Sequence, residues 1–151
     1  MASTPFLQPA TAQDLPLLLE LSRELNTLEH IPFNPDEMRP LLRQLLADAN
    51  VGRLWLLRVD DETAGYAMLT FGFDLEYRGR DAFITELFIR PPFRGRGLGT
   101  QALTLVLDAA RNLGLSAVHL EVRPENGSAV RLYRNLGFKA HERITMTRWL
   151  T

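Results

Sequence analysis

Residues 94–100 read Arg94-Gly95-Arg96-Gly97-Leu98-Gly99-Thr100 and follow directly on an apolar run that ends at Pro91 and Pro92. Ala102, Leu103, Val106, Leu107 and Ala110 then recur at helical spacing, so the loop opens into a helix N-terminus. Such a terminus carries unpaired N–H donors and a partial positive charge, which makes it an anion site. The glycines allow close approach to the backbone and the arginines add full charge, so a phosphate-bearing ligand is expected. A second feature is Glu86, the only carboxylate in an apolar run of Phe83, Ile84, Leu87, Phe88 and Ile89. Burying it unpaired is costly, so it needs either a function or a partner, and Arg94 and Arg53 are candidate salt-bridge partners.

Several phosphate-binding patterns can be tested against the loop. A P-loop requires GxxxxGK[ST], and no lysine follows these glycines. The dinucleotide fingerprint GxGxxG fails at its last position, where Thr100 replaces the third glycine after Gly95 and Gly97. A solvated turn rich in glycine and arginine is the bland alternative. The pattern that survives is R-x-x-G-x-G, met by Arg94, Gly97 and Gly99.

The elements that must position these residues follow in chain order. Residues 5–9 read as a short first strand, and Thr11 or Asp14 caps the helix after it. Leu15, Leu18, Leu19, Leu25 and Leu28 form that helix's apolar stripe, with Glu20, Arg23 and Glu24 outward. A loop with two prolines spans 29–35, and a second amphipathic helix over 36–49 is expected to bury Met38, Leu41, Leu42, Leu45 and Leu46. Strands are expected over 53–59 and 64–73, joined by a turn at 60–62. A connection over 73–81, bending at Gly79, leads to the strand before the loop, whose apolar residues suit burial on both faces. The long helix ends near Asn112 to Gly114, and a fifth strand over 117–122 should run parallel to the strand before the loop. A turn at 124–128, a short helix, a strand opening at Gly137-Phe138 and a last strand over 143–150 complete the chain.

Composition narrows the class. A chain of 151 residues is expected to form one domain with a sizeable core. There are no cysteines, which excludes disulfides, thiolate metal sites and a cysteine acyl-enzyme. His30, His119 and His141 lack metal-ligand spacing, so no metal is expected. No basic, apolar leader and no run of about 18 apolar residues is present, so a cytoplasmic protein is expected, with no membrane partner. A net charge of −1 argues against nucleic acid as partner. Residues 1–86 carry 7 basic and 14 acidic side chains, a balance of −7, whereas residues 87–151 carry 10 and 4, a balance of +6. That division suits an anionic cofactor toward the C-terminus and a cationic amine toward the N-terminus.

A further ordered set lies downstream: Asn126, Tyr133 seven residues on, then Leu136-Gly137-Phe138. Together with Arg94-x-x-Gly97-x-Gly99, this N-x6-Y-x2-LGF pattern resembles the GNAT superfamily of acyl-CoA-dependent N-acyltransferases over residues 64–150. The run from Gly65 through Tyr77-Arg78-Gly79-Arg80 to Gly99 is similar to small-molecule amine acetyltransferases of the spermidine/spermine type. The resemblance implies an α+β fold in three layers, α/β/α. Its mixed, mostly antiparallel sheet would have six to seven strands, splayed between the fourth and fifth, with about four helices.

It also implies acetyl-CoA as acyl donor, attacked directly by a small-molecule primary amine in a ternary complex. Leu87, Phe88 and Ile89 would offer main-chain hydrogen bonds to the pantetheine arm, Arg94, Gly95, Arg96, Gly97, Leu98, Gly99 and Thr100 would hold the pyrophosphate, and Asn126 would lie near the pantetheine. Tyr133 would protonate the leaving thiolate; otherwise it is a tyrosine packed on a helix face. An alkylamine has a pKa of about 10, so a base must take its proton, and Glu86 is the candidate with Glu121 as the alternative. Glu29 and His30 in the first interhelical loop are candidate substrate contacts, or else solvated turn residues. Trp149 could join a homodimer interface or close the core. A protein or peptide acetyltransferase and a non-catalytic acyl-CoA-binding domain are the competing readings.

Overall fold

β1 (Phe6–Pro9), β2 (Gly52–Val59), β3 (Glu62–Asp74) and β4 (Gly79–Ile89) pair antiparallel in sequence order, and β5 (Val118–His119) adds parallel to β4. This computed structural model describes residues 3–151, in two compact units, one ending at Glu121 and one spanning Val122–Thr151. The sheet, with α1 (Leu15–Leu28), α2 (Pro35–Ala47) and α3 (Leu98–Asn112), lies in the first; α4 (Gly127–Asn135) lies in the second.

Local chemistry sets the junctions. The β2–β3 turn uses Asp60 and Asp61 at φ 51° and 63°, the left-handed pair that matches strand twist in a tight hairpin. Asp14 Oδ2 accepts from the Thr11 N–H at 2.8 Å, closing a short 3-10 turn ahead of α1. Asn34 Oδ1 accepts from the Asp36 N–H at 3.0 Å, and Pro35 occupies the first helical position of α2.

Alternation along the strands divides the sheet's two faces. Leu54, Leu56, Tyr66 and Phe88 meet Leu15, Leu18 and Leu21 of α1 and Leu42 of α2. On the other face Leu57, Val59 and Ala64 meet Leu98 and Ala102 of α3. Each fully buried leucine contributes about 1.5–3 kcal/mol. Three layers result, helices over both faces of the sheet.

The structure corrects several expectations. Among the described residues the sheet has five strands, not six or seven. No strand forms over 138–151, where Ile144, Met146, Trp149 and Leu150 are all more than four-fifths exposed, so Trp149 does not close a core. Alternating side chains mark a strand-like face but do not by themselves supply a ladder partner. β5 is two residues long, because its pairing with β4 stops at Phe83↔His119. In α2 only Leu42 is buried; Leu41 is 56% exposed, at the edge of an apolar arc about 140° wide. Leu28, in the last turn of α1, is also exposed. Glu20 and Glu24 are not simply outward: both pair with Arg90, at 3.3 and 3.0 Å, tying α1 to the end of β4. Phe83 is 43% exposed, so β4 is not buried on both faces throughout.

Candidate active site

β4 changes character halfway along. Met68 pairs with Glu86 but Leu69 pairs with Ile84, so Thr85 is an extra residue on the β4 side, a β-bulge. Met68 and Leu69 are consecutive and face opposite ways, and their partners share those faces. The bulge therefore puts Ile84 on one face and aims Glu86, with Phe88, at the face under α1. Upstream of the bulge Ala82 and Phe83 pair with β5; downstream, residues 86–89 pair with β3 alone. His119 Nε2 lies 2.8 Å from the buried Asp81 Oδ2, pinning β5 to β4 at the paired end.

The Arg90 N–H donates to the Ala64 carbonyl at 2.7 Å, which fixes the phase of the β3–β4 ladder. Antiparallel alternation then turns the backbone groups of Phe88 toward β3 and those of Leu87 and Ile89 toward the edge that lacks a strand partner. Of the three expected pantetheine contacts, Leu87 and Ile89 are the two at this edge. The Ile89 carbonyl accepts from Arg94 Nε at 2.9 Å.

The loop after β4 turns through a 3-10 segment at Pro91–Phe93 and reaches α3 with Gly95 and Gly97 at φ 78° and 74°. Both glycines have open space where a Cβ would stand, so the left-handed backbone, not crowding, is what selects glycine here. The first helical bond runs from the Gln101 N–H to the Gly97 carbonyl at 3.2 Å. The N–H groups of Leu98, Gly99 and Thr100 precede it and have no helical acceptor. The Leu98 side chain is buried against the sheet and leaves only its backbone for a ligand. Arg94 lies over the Phe88 ring and Arg96 over the Phe93 ring, each 5.7 Å from the centroid.

Glu86 is half-buried and forms no salt bridge to Arg94 or Arg53. Arg53 instead donates to the Ala49 and Gly52 carbonyls. Burial pushes the Glu86 carboxyl above its ordinary pKa. Tyr66 sits diagonally across the ladder from Glu86, with its hydroxyl buried and outside hydrogen-bond geometry of any partner. Burial first, then the Glu86 charge, raises the phenol's pKa, so it stays protonated at neutral pH. Sequence reasoning missed Tyr66 and its neighbour Ser22. The available signal was Ser22 itself, a hydroxyl on the apolar stripe of α1 between Leu18 and Leu25, buried to 6% exposure.

Beside Phe88 opens a groove of about 380 Å³, walled by Arg23, Glu24, Thr27 and Leu28 of α1 and by Pro91 and Arg94. Glu29 and His30 do not line it; they follow α1 on the exposed surface, with His30 at φ 57°. Glu121 is exposed and lies beyond the end of β5 rather than on a strand. Among the described residues no group of three His, Cys, Asp or Glu side chains is placed to hold a metal ion, and no helix is long and apolar enough to cross a membrane. In the second unit Asn126 caps α4, its side chain accepting from the Ala129 N–H at 3.4 Å. Tyr133, partly buried on α4, meets the Phe138 ring edge-on at 6.0 Å.

The acetyltransferase (GNAT) family matches residues 18–138. Aminoalkylphosphonate N-acetyltransferase of Salmonella typhimurium is 31% identical over 142 residues, covering 92% of this chain and 88% of that one. Thialysine N-epsilon-acetyltransferase of Mus musculus is 34% identical over 73 residues, 48% of this chain and 42% of its own length. The chain spans between 27% and 42% of the first curated relatives it matches. Among solved structures, an integron cassette protein from the mobile metagenome of Cole Harbour Salt Marsh superposes with a TM-score of 0.84 at 30% identity, covering 96% of this chain and 90% of that one.

Proposed function

We propose that this chain, which belongs to the acetyltransferase (GNAT) family, transfers the acetyl group of acetyl-CoA to the primary amine of a small molecule, with donor and acceptor bound together. The observation that carries the reading is the family match over 18–138, which takes in β4, the glycine loop, Asn126 and Tyr133 in order. Because the match crosses both units, the reading treats the chain as one acyltransferase domain. Relatives named for aminoalkylphosphonate and thialysine support a small acceptor, as does a groove of about 380 Å³.

The residues present fit the donor. An extended amide chain such as pantetheine can add to a strand edge, and Leu87 and Ile89 offer one. The N–H groups at the start of α3, with Arg94 and Arg96 nearby, suit a pyrophosphate. In this reading Asn126 lies alongside the pantetheine. Glu86 takes the proton of the acceptor ammonium, its raised pKa bringing it closer to the amine's. The neutral nitrogen attacks the thioester carbonyl, the C–N bond forms, the C–S bond breaks, and the proton the nitrogen carries beyond the neutral amide passes to solvent. Tyr133 gives its phenolic proton to the departing thiolate and recovers one from solvent, to which Glu86 releases its own.

Thiol release from acetyl-CoA, measured across a panel of amines, tests the reading. Amine-dependent release is expected, and no release on any amine overturns it. Tyr133→Phe should lower kcat by about 10²-fold while calorimetry finds CoA affinity unchanged. Unaltered turnover would remove Tyr133 from the proton-donor role.

A further inference from the structure

Three ionic side chains line the groove beside Phe88, and their charges do not cancel. The Glu24 carboxylate is already engaged, its Oε2 3.0 Å from Arg90 Nε, with Arg90 only 21% exposed. Arg94 is held by its Nε bond to the Ile89 carbonyl and by the Phe88 ring, which leaves its terminal nitrogens as free donors. Arg23 lies over the Phe33 ring, 5.6 Å from the centroid. Neither Arg23 nor Arg94 enters an ion pair among the described residues. Two oriented guanidinium groups thus face a cavity whose one carboxylate is neutralised by a third. A polycation is repelled there, although residues 1–86 carry a balance of −7, because a charge total says nothing of which side chains reach a site. An oxyanion is attracted, since guanidinium groups are forked donors matched to carboxylate and phosphonate oxygens.

The rest of the wall fixes the other end of the acceptor. Leu28, Phe88 and Pro91 supply an apolar lining suited to a short carbon chain. Glu86 projects from the same face of β4 as Phe88, two residues away, a span of about 7 Å. We propose that the acceptor is a small molecule with an oxyanion at one end and the reacting primary amine at the other, and that Arg23 selects it by gripping the oxyanion while the amine reaches Glu86 and Arg94 stays with the donor's pyrophosphate. The inference rests on the acetyltransferase reading and names its substrate class.

Steady-state kinetics with acetyl-CoA and matched acceptors tests it: 2-aminoethylphosphonate and β-alanine against ethanolamine, which keeps the amine and lacks the anion, and against spermidine. The two oxyanion-bearing amines should exceed ethanolamine and spermidine in kcat/KM by at least about tenfold. Whichever of the two is faster separates phosphonate from carboxylate as the preferred head. Arg23→Glu should raise KM for that acceptor by at least about tenfold and narrow or reverse its lead over spermidine, with CoA affinity unchanged. Arg23 is exposed, and Arg23→Gln provides a milder second variant if charge reversal disturbs α1. Preference for spermidine, or an Arg23 variant that leaves the acceptor ratios unchanged, overturns the inference and keeps the acetyltransferase reading. No turnover on any amine overturns both.

Discussion

Glu86 carries a sign that can be measured apart from catalysis. Its folded pKa lies above its unfolded value because burial disfavours the carboxylate. Its favourable contribution is therefore complete below the unfolded pKa and is lost as pH rises through the folded pKa. Glu86→Gln keeps the shape and removes the charge. The variant should melt above the parent at pH 7, with the gap widening from pH 4 upward, while kcat falls by about 10²-fold. A variant that melts below the parent at pH 7 would mean that Glu86 is stabilised by a partner and is not a strained base. The sequence marked Glu86 as a lone carboxylate in an apolar strand; it could not mark Tyr66, because a tyrosine in a strand is ordinary and only register reveals the hydroxyl beside Glu86. Arg23 was hidden in the same way. On a helical wheel it reads as outward, and only the turn of the chain at Phe33 and the end of β4 shows that outward from α1 is into a groove.

At the scale of elements, two glycines separate what local pattern can and cannot reveal. Gly97 was legible as a glycine at a helix start, where the sequence suggested close approach of an anion and the structure adds a φ of 74° that itself favours glycine. Gly65 stands in β3 for a reason that lies on another strand, since a Cβ there would collide with the Phe88 carbonyl. Gly65→Ala should therefore cost about 1–3 kcal/mol, through β4 being pushed from β3. Gly97→Ala meets no neighbour and should cost about 1–2 kcal/mol through backbone strain alone, with Gly97→Asn cheaper because asparagine tolerates the left-handed region. Urea melts of the three variants check the order; equal costs for the alanine and asparagine variants at Gly97 would refute the strain argument. The bulge at Thr85 was not legible. An apolar run with a single polar residue reads the same with or without an extra residue, yet the extra residue decides which face Glu86 joins. Nor was the length of β5, because the alternating residues 117–122 fit a strand whether or not β4 stays alongside to pair with them.

At the scale of the whole chain, composition gives two opposite charge balances, and only the side chains that reach a site act on its ligand. The +6 of residues 87–151 includes Arg94 and Arg96 at the glycine loop, both exposed. Exposed charges act through solvent and are screened over about 10 Å at 0.1 M salt, whereas backbone N–H groups at a helix start act at contact distance and are screened much less. The two contributions to donor binding can thus be told apart by ionic strength. Raising salt from about 50 to about 500 mM should weaken CoA binding several-fold in calorimetry, since the screening length shrinks below the reach of the arginines. Acetyl-pantetheine, which keeps the amide arm for Leu87 and Ile89 but lacks the phosphates, should bind more weakly and show little salt dependence. Arg96→Gln should lower the salt slope for CoA and leave acetyl-pantetheine unaffected. Equal salt slopes for the two ligands would mean that the phosphates bind away from these arginines, and that the glycine loop is only a turn.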